Sequence, residues 1–173
     1  MSTAPDAFAG GFVDADLARE ALALALPMIE AAVRRDRVSG GGFLHIVVLD
    51  PTARPERVPF EQAVLLEHSI GERERWDADY AGFARAKARL SWTHGLDSHC
   101  LQTLRPHLLR RGDSLLWGGV CLDGLVVACS GAHPWYDEAF ATAVAAALRA
   151  LVKEHHAAAR AQDRLWIDAV AGR

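Results

Sequence analysis

The run FLHIVVLD (43–50) restricts the fold more than any other stretch of this chain. Its β-branched and aliphatic side chains, bounded by Gly and Pro, predict a strand. It is too apolar for an edge strand, whose open side faces water, so it predicts an interior position. An interior strand needs partners, and the chain offers candidates. Gln62 to Glu67 predicts a second strand beyond the Pro-rich turn PTARPERVP. Gly119–Leu122 and Leu125–Cys129 flank Asp123-Gly124, the signal of a two-residue hairpin turn.

The remaining segments carry a helical period. Asp14 or Asp16 can cap a helix reaching about Arg35, with Leu17, Ala21, Leu24, Met28, Ala31 and Ala32 as its apolar stripe. Pro27 within it predicts a kink or a break. VSGGG (38–42) is a loop. Trp76 to His94 predicts a helix whose stripe is Tyr80, Phe83, Ala84, Lys87, Leu90, Ser91 and His94, with Arg85 and Arg89 opposite. A shorter helix follows from Asp97 to Leu109. The last runs from about Trp135 to His156 on Phe140, Val144, Leu148, Leu151 and Val152. The order α-β-β-α-α-β-β-α pairs strands as hairpins, which predicts an α+β fold with an antiparallel sheet covered by helices.

With 173 residues, 51% apolar and 24% charged, the chain has the length and composition of one globular domain. The expected division is a flexible tail over 1–13, one domain over 14–158, and an extension over 159–173. In that extension Leu165, Trp166 and Ile167 are apolar enough to dock on the body or on a neighbouring subunit. A net charge of −3 gives no electrostatic footprint for nucleic acid or an anionic membrane. No basic and apolar leader opens the sequence and no apolar run is long enough to span a bilayer, so the expected compartment is the cytoplasm. Cys100, Cys121 and Cys129, odd in number and without C-x-x-C spacing, fit reduced structural thiols. The hairpin register puts Cys121 and Cys129 on opposite faces.

Several residues invite a chemical role. Lys87, in the middle of an apolar stripe, either snorkels past the core edge or sits in a pocket where it meets an anionic group. Gly118 and Gly119 either let a ligand approach the backbone or bend the chain into the strand. Ser130, His133 and Asp137 suggest a triad, although no G-x-S-x-G elbow accompanies them, and Asp137 equally suits a helix start. His94 with His99, and His155 with His156, lack the i, i+4 spacing of a helical metal pair. A single histidine suffices for a haem iron, which leaves His45, His94, His99 and His133 eligible.

The stretch GGVCLDGLVVACSGAHPWYDEAFATAVAAAL resembles the C-terminal pattern of the GlcG/HbpS-like superfamily, which includes haem-binding proteins and the PduO C-terminal domain. Upstream, FARAKARLSWTHGLDS is similar to the haem-degrading branch, with Phe83, Lys87, Gly95 and Ser98 at its motif positions. The resemblance spans roughly residues 14 to 155. Cys121 departs from the family's usual Pro, and Phe83 from the branch's usual Trp.

The resemblance implies a profilin-like fold in a symmetric homo-oligomer. Lys87, Gly118, Gly119, Ser130, Gly131 and Asp137 would gather at a ligand pocket near a subunit boundary. Haem or another tetrapyrrole is the implied ligand, with Lys87 on a carboxylate and a histidine on the metal. An enzyme using Lys87, Asp137 and His133 on a small organic acid, or an assembly protein with a vestigial pocket, are the alternatives.

Overall fold

The computed structural model describes residues 12–162. Residues 1–11 of the expected tail and 163–173 of the expected extension, with Leu165, Trp166 and Ile167, lie outside them. Val13 and Ala159, at the described ends of the chain, are both buried.

Helix α1 (Ala15–Val33) leads into strand β1 (Leu44–Leu49), a one-turn helix α2 (Phe60–Ala63) and strand β2 (Val64–Ile70). Helices α3 (Tyr80–His94) and α4 (Ser98–Leu104) follow, then the hairpin β3 (Gly119–Leu122) and β4 (Leu125–Ser130), and the long helix α5 (Pro134–Ala161). The strands form one antiparallel sheet in the order β2-β1-β4-β3. The fold is therefore α+β with an antiparallel sheet covered by helices, as the profilin-like expectation has it. β1 is interior and every one of its residues is buried, which is what its apolar run requires.

Alternation along the strands divides the core in two. Leu44, Ile46, Val48, Val120, Leu125, Val127 and Cys129 pack under α1 and α5. Val47, Leu49, Val126 and Ala128 face the other way, against Ala84 and Ala88 of α3 and Phe60 of α2. Cys121 joins that second cluster, so the two thiols do lie on opposite faces. The hairpin turn has Asp123 at φ 53° and Gly124 at φ 88°, the pair of left-handed residues that a tight hairpin of this hand demands.

Three expectations about elements are corrected. In α1 the buried face is Leu17, Ala18, Ala21, Leu22, Ala25, Ile29 and Val33, while Leu24 and Met28 are 61% and 49% exposed. Two overlapping stripes were available, and packing against α5 selected the one with small residues that let the helices approach. Pro27 is exposed and α1 continues through it, so of the two expected outcomes the break does not occur. The second strand starts at Val64, since residues 60–63 make a helical turn that buries Phe60 and Ala63. Helix α4 stops at Leu104, ahead of Pro106, and residues 106–108 form a separate 3-10 turn.

Boundaries shift elsewhere as well. Helix α3 begins at Tyr80, where the Asp79 carboxylate accepts from Gly82 N–H at 2.9 Å. Phe83, expected on its buried stripe, is 41% exposed. Helix α5 continues to Ala161, beyond the expected end at His156.

Candidate functional site

Lys87 is 2% exposed and faces the sheet from the middle of α3, so it does not snorkel. Its neighbours on that face, Ala84, Ala88 and Ser91, are small and buried, and the long lysine stem fills the space they leave. The ammonium donates to Asp137 Oδ2 at 2.7 Å, to the Cys129 carbonyl at 2.9 Å and to Ser130 Oγ at 3.2 Å. An ammonium has three hydrogens, and all three are committed.

Asp137 arrives from the first turn of α5 and is 2% exposed. Its Oδ1 accepts from Ala132 N–H at 2.9 Å while Oδ2 holds Lys87. Burial raises its carboxyl to a pKa of about 6, with Lys87 and the Ala132 and Gly131 N–H groups pulling the other way. The pair thus ties α3, the end of β4 and the start of α5 at one point.

The glycines make room for this cluster. Gly118 has φ 113°, and a Cβ there would come within 2.6 Å of Asp137 Cβ and 2.7 Å of the Cys129 carbonyl. At Gly119 a Cβ would meet the Lys87 carbonyl at 2.5 Å and Ser91 Oγ at 2.6 Å. Both positions admit the ion pair and α3 against the sheet, and neither lines the cleft described next. Gly131, at φ 137°, passes so close to β1 that a Cβ would meet the Phe43 carbonyl at 2.3 Å.

Gly95 and Ser98 serve the same packing. Gly95 ends α3 in the left-handed conformation at φ 64°. Ser98 Oγ then accepts from Gly119 N–H at 3.1 Å, and Asp97 Oδ1 from Cys121 N–H at 2.7 Å. These two side chains satisfy donors on the outer edge of β3, where no further strand pairs among the described residues.

Above the ion pair lies a cleft of about 290 Å³. Lys87, Ser130 and Asp137 form its buried floor. Tyr80, Phe83, Leu116 and Pro134 supply apolar walls, with Gly40, Gly131, Ala132 and His133 at the margin. The margin is stitched together: Ser39 Oγ donates to the Gly131 carbonyl at 2.9 Å and accepts from Gly42 N–H at 3.1 Å, while His133 N–H reaches the Val38 carbonyl at 2.9 Å. Tyr80 donates its hydroxyl to Asp77 at 2.5 Å, and burial with that hydrogen bond raises its pKa to about 12.

Of the residues singled out in the sequence, Lys87, Ser130, Gly131 and Asp137 line the cleft, while Gly118 lies against the ion pair and Gly119 beside the Lys87 backbone, both outside it. His133 lines the cleft and stacks on Trp135 at 5.3 Å. Its ring hydrogen-bonds to neither Ser130 nor Asp137, which both turn to Lys87, so the three do not form a relay. His94 and His99 are outside the cleft; His99 Nδ1 lies 3.3 Å from Glu138 Oε2, and its ring rests on Trp117 at 4.6 Å. His155 and His156 are exposed on α5. Among the described residues no group of three or more His, Cys, Asp or Glu side chains is placed to hold a metal ion.

His45 is buried on β1, opposite Ser69 of β2 and Ser130 of β4. Its Nδ1 lies 2.9 Å from Ser69 Oγ, and its Nε2, 3.8 Å from Glu67, is beyond hydrogen-bond range. Burial lowers its pKa despite the nearby Glu67 carboxylate. Asp97, Tyr80, Gly40 and Leu116 were not singled out in the sequence as site residues. Gly40 had a local signal, the Gly run beside Ser39, whereas Leu116 had none. No protein-family model matches this chain, and no curated protein matches it.

Proposed function

We propose that this protein binds a small, partly anionic organic ligand in the cleft between α3 and the start of α5, acting as a cytoplasmic homo-oligomer. The observation that carries this reading is the cleft floor itself. A lysine, an aspartate and a serine, each at most 4% exposed, sit beneath about 290 Å³ of open volume with apolar walls. Ligand sites combine an apolar lining with a few fixed polar groups in this way. No described helix is long and apolar enough to cross a membrane.

Haem or another tetrapyrrole is the candidate that the family resemblance supplies, and the residues fit it in part. His133 is the eligible histidine at the cleft. Lys87 does not suit the expected carboxylate contact, because its three hydrogens are already taken. The volume, about 290 Å³, falls just short of the roughly 300–1,000 Å³ usual for ligand pockets. A macrocycle would therefore rest largely on the exposed rim, Phe83 and Leu116, or beneath a second copy of the chain. Titration of the purified protein with hemin tests this candidate. A saturable Soret shift that weakens in His133→Ala is expected; an unsaturable or unchanged Soret band removes tetrapyrroles and leaves smaller organic anions.

A further inference from the structure

Resting on the ligand-binding reading above, we propose that the Ser130 hydroxyl is the specificity-determining donor of the cleft. The inner end of the ligand is then a hydrogen-bond acceptor, a carbonyl or carboxylate oxygen, rather than an amine or a hydrocarbon.

The assignment follows from counting hydrogens on the floor. Three lining side chains are buried: Lys87, Ser130 and Asp137. Lys87 spends its hydrogens on Asp137, the Cys129 carbonyl and Ser130. Asp137, when ionised, has none to give. The Tyr80 hydroxyl is committed to Asp77, and the backbone N–H groups of Ala132 and His133 to Asp137 and Val38; the His133 ring, which can also donate, is exposed at the margin and not on the floor. Ser130 Oγ accepts from the ammonium, and no group among the described residues accepts its own hydrogen.

The position also strengthens that donor. An oxygen that accepts from a charged ammonium carries a more polarised O–H, and hydrogen bonds in a chain reinforce one another where water is excluded. A cationic ligand end fares badly in the same place. It would stand beside the Lys87 ammonium, and the Asp137 oxygens already hold Lys87 and the Ala132 and Gly131 N–H groups.

The test is a ¹H–¹⁵N NMR titration of the full chain, read at the Gly131, Ala132 and His133 amides. The probes are acetophenone, benzoate, benzylamine and α-methylstyrene, the last having the shape of acetophenone with CH₂ in place of the carbonyl oxygen. Acetophenone and benzoate should give saturable shifts, and the tighter of the two identifies carbonyl or carboxylate as the preferred acceptor. Benzylamine and α-methylstyrene should bind about tenfold more weakly or worse, the ratio expected for one hydrogen bond made by a polarised donor. Ser130→Ala should remove the advantage of the two acceptors. Should that variant not fold, the comparison of acetophenone with α-methylstyrene on the wild-type chain decides alone. Equal binding of those two overturns the inference and leaves the binding reading standing. No saturable shift with any probe overturns both.

Discussion

Lys87 and Asp137 owe their position to each other. Each is 2% exposed, and an ion so deeply buried is tolerated only with a partner and further hydrogen bonds. Lys87→Met leaves an unpaired buried carboxylate and should cost about 3–5 kcal/mol, as breaking buried pairs generally does. Combining Lys87→Met with Asp137→Asn removes both charges, so the double variant should be more stable than the single effects added together. Urea denaturation of the four species measures that coupling, and strict additivity would refute it.

Two groups at this scale respond oppositely to acid. Asp137 has its carboxyl raised from 3.8 to about 6, so between those values the folded state holds more protons than the unfolded one. Its contribution to stability therefore falls as pH rises through that window and is level above it. His45 is lowered from 6.5 by burial, so the unfolded state holds more protons just below that value. Its contribution is lost as pH falls below 6.5. On moving from about pH 7 to about pH 5, His45→Gln should lose less stability than wild type and Asp137→Asn should lose more. Parallel pH dependence in all three proteins would contradict these signs.

At the scale of elements, the hairpin of β3 and β4 is shaped by what crosses it. Gly118 is left-handed and lies against the ion pair, and Gly119 lies against the α3 backbone. Gly118→Ala adds backbone strain to a Cβ contact of 2.6 Å with Asp137. Overpacking alone costs about 1–3 kcal/mol, and the clash falls on the residues that hold α3 to α5. Differential scanning calorimetry should record a lower Tm for Gly118→Ala than for Gly124→Ala. The latter is also left-handed, but a Cβ there meets nothing within 4 Å among the described residues. Equal losses would mean that backbone strain, rather than the close approach of the ion pair, sets the requirement.

At the scale of the whole molecule, three layers place the cleft where α3, the end of β4 and the start of α5 converge. Its rim carries Phe83 and Leu116, each more than two-fifths exposed, and Trp135 nearby is 58% exposed. Side chains of this kind suit the proposed contact between copies. Light scattering of the wild type should report a mass above that of one chain, reduced in Phe83→Glu. A monomeric wild type would remove the homo-oligomer.

Much of this architecture was legible in the sequence, because local physics decides it. The apolar run 43–50 requires an interior strand, Asp123-Gly124 requires a tight turn, and Asp14 caps its helix through a contact three residues away. The face of α1 was not legible, since Leu24–Met28 and Leu22–Ile29 are both helical stripes and only the packing against α5 separates them. Nor was the partner of Lys87. The chain marks a lysine on an apolar stripe, but its ammonium meets Cys129, Ser130 and Asp137 from 42 to 50 residues away. Periodicity and capping act within one element and can be read along the chain. The neutralisation of a buried charge depends on which elements stack, and that was decided only when the sheet and its covering helices came together.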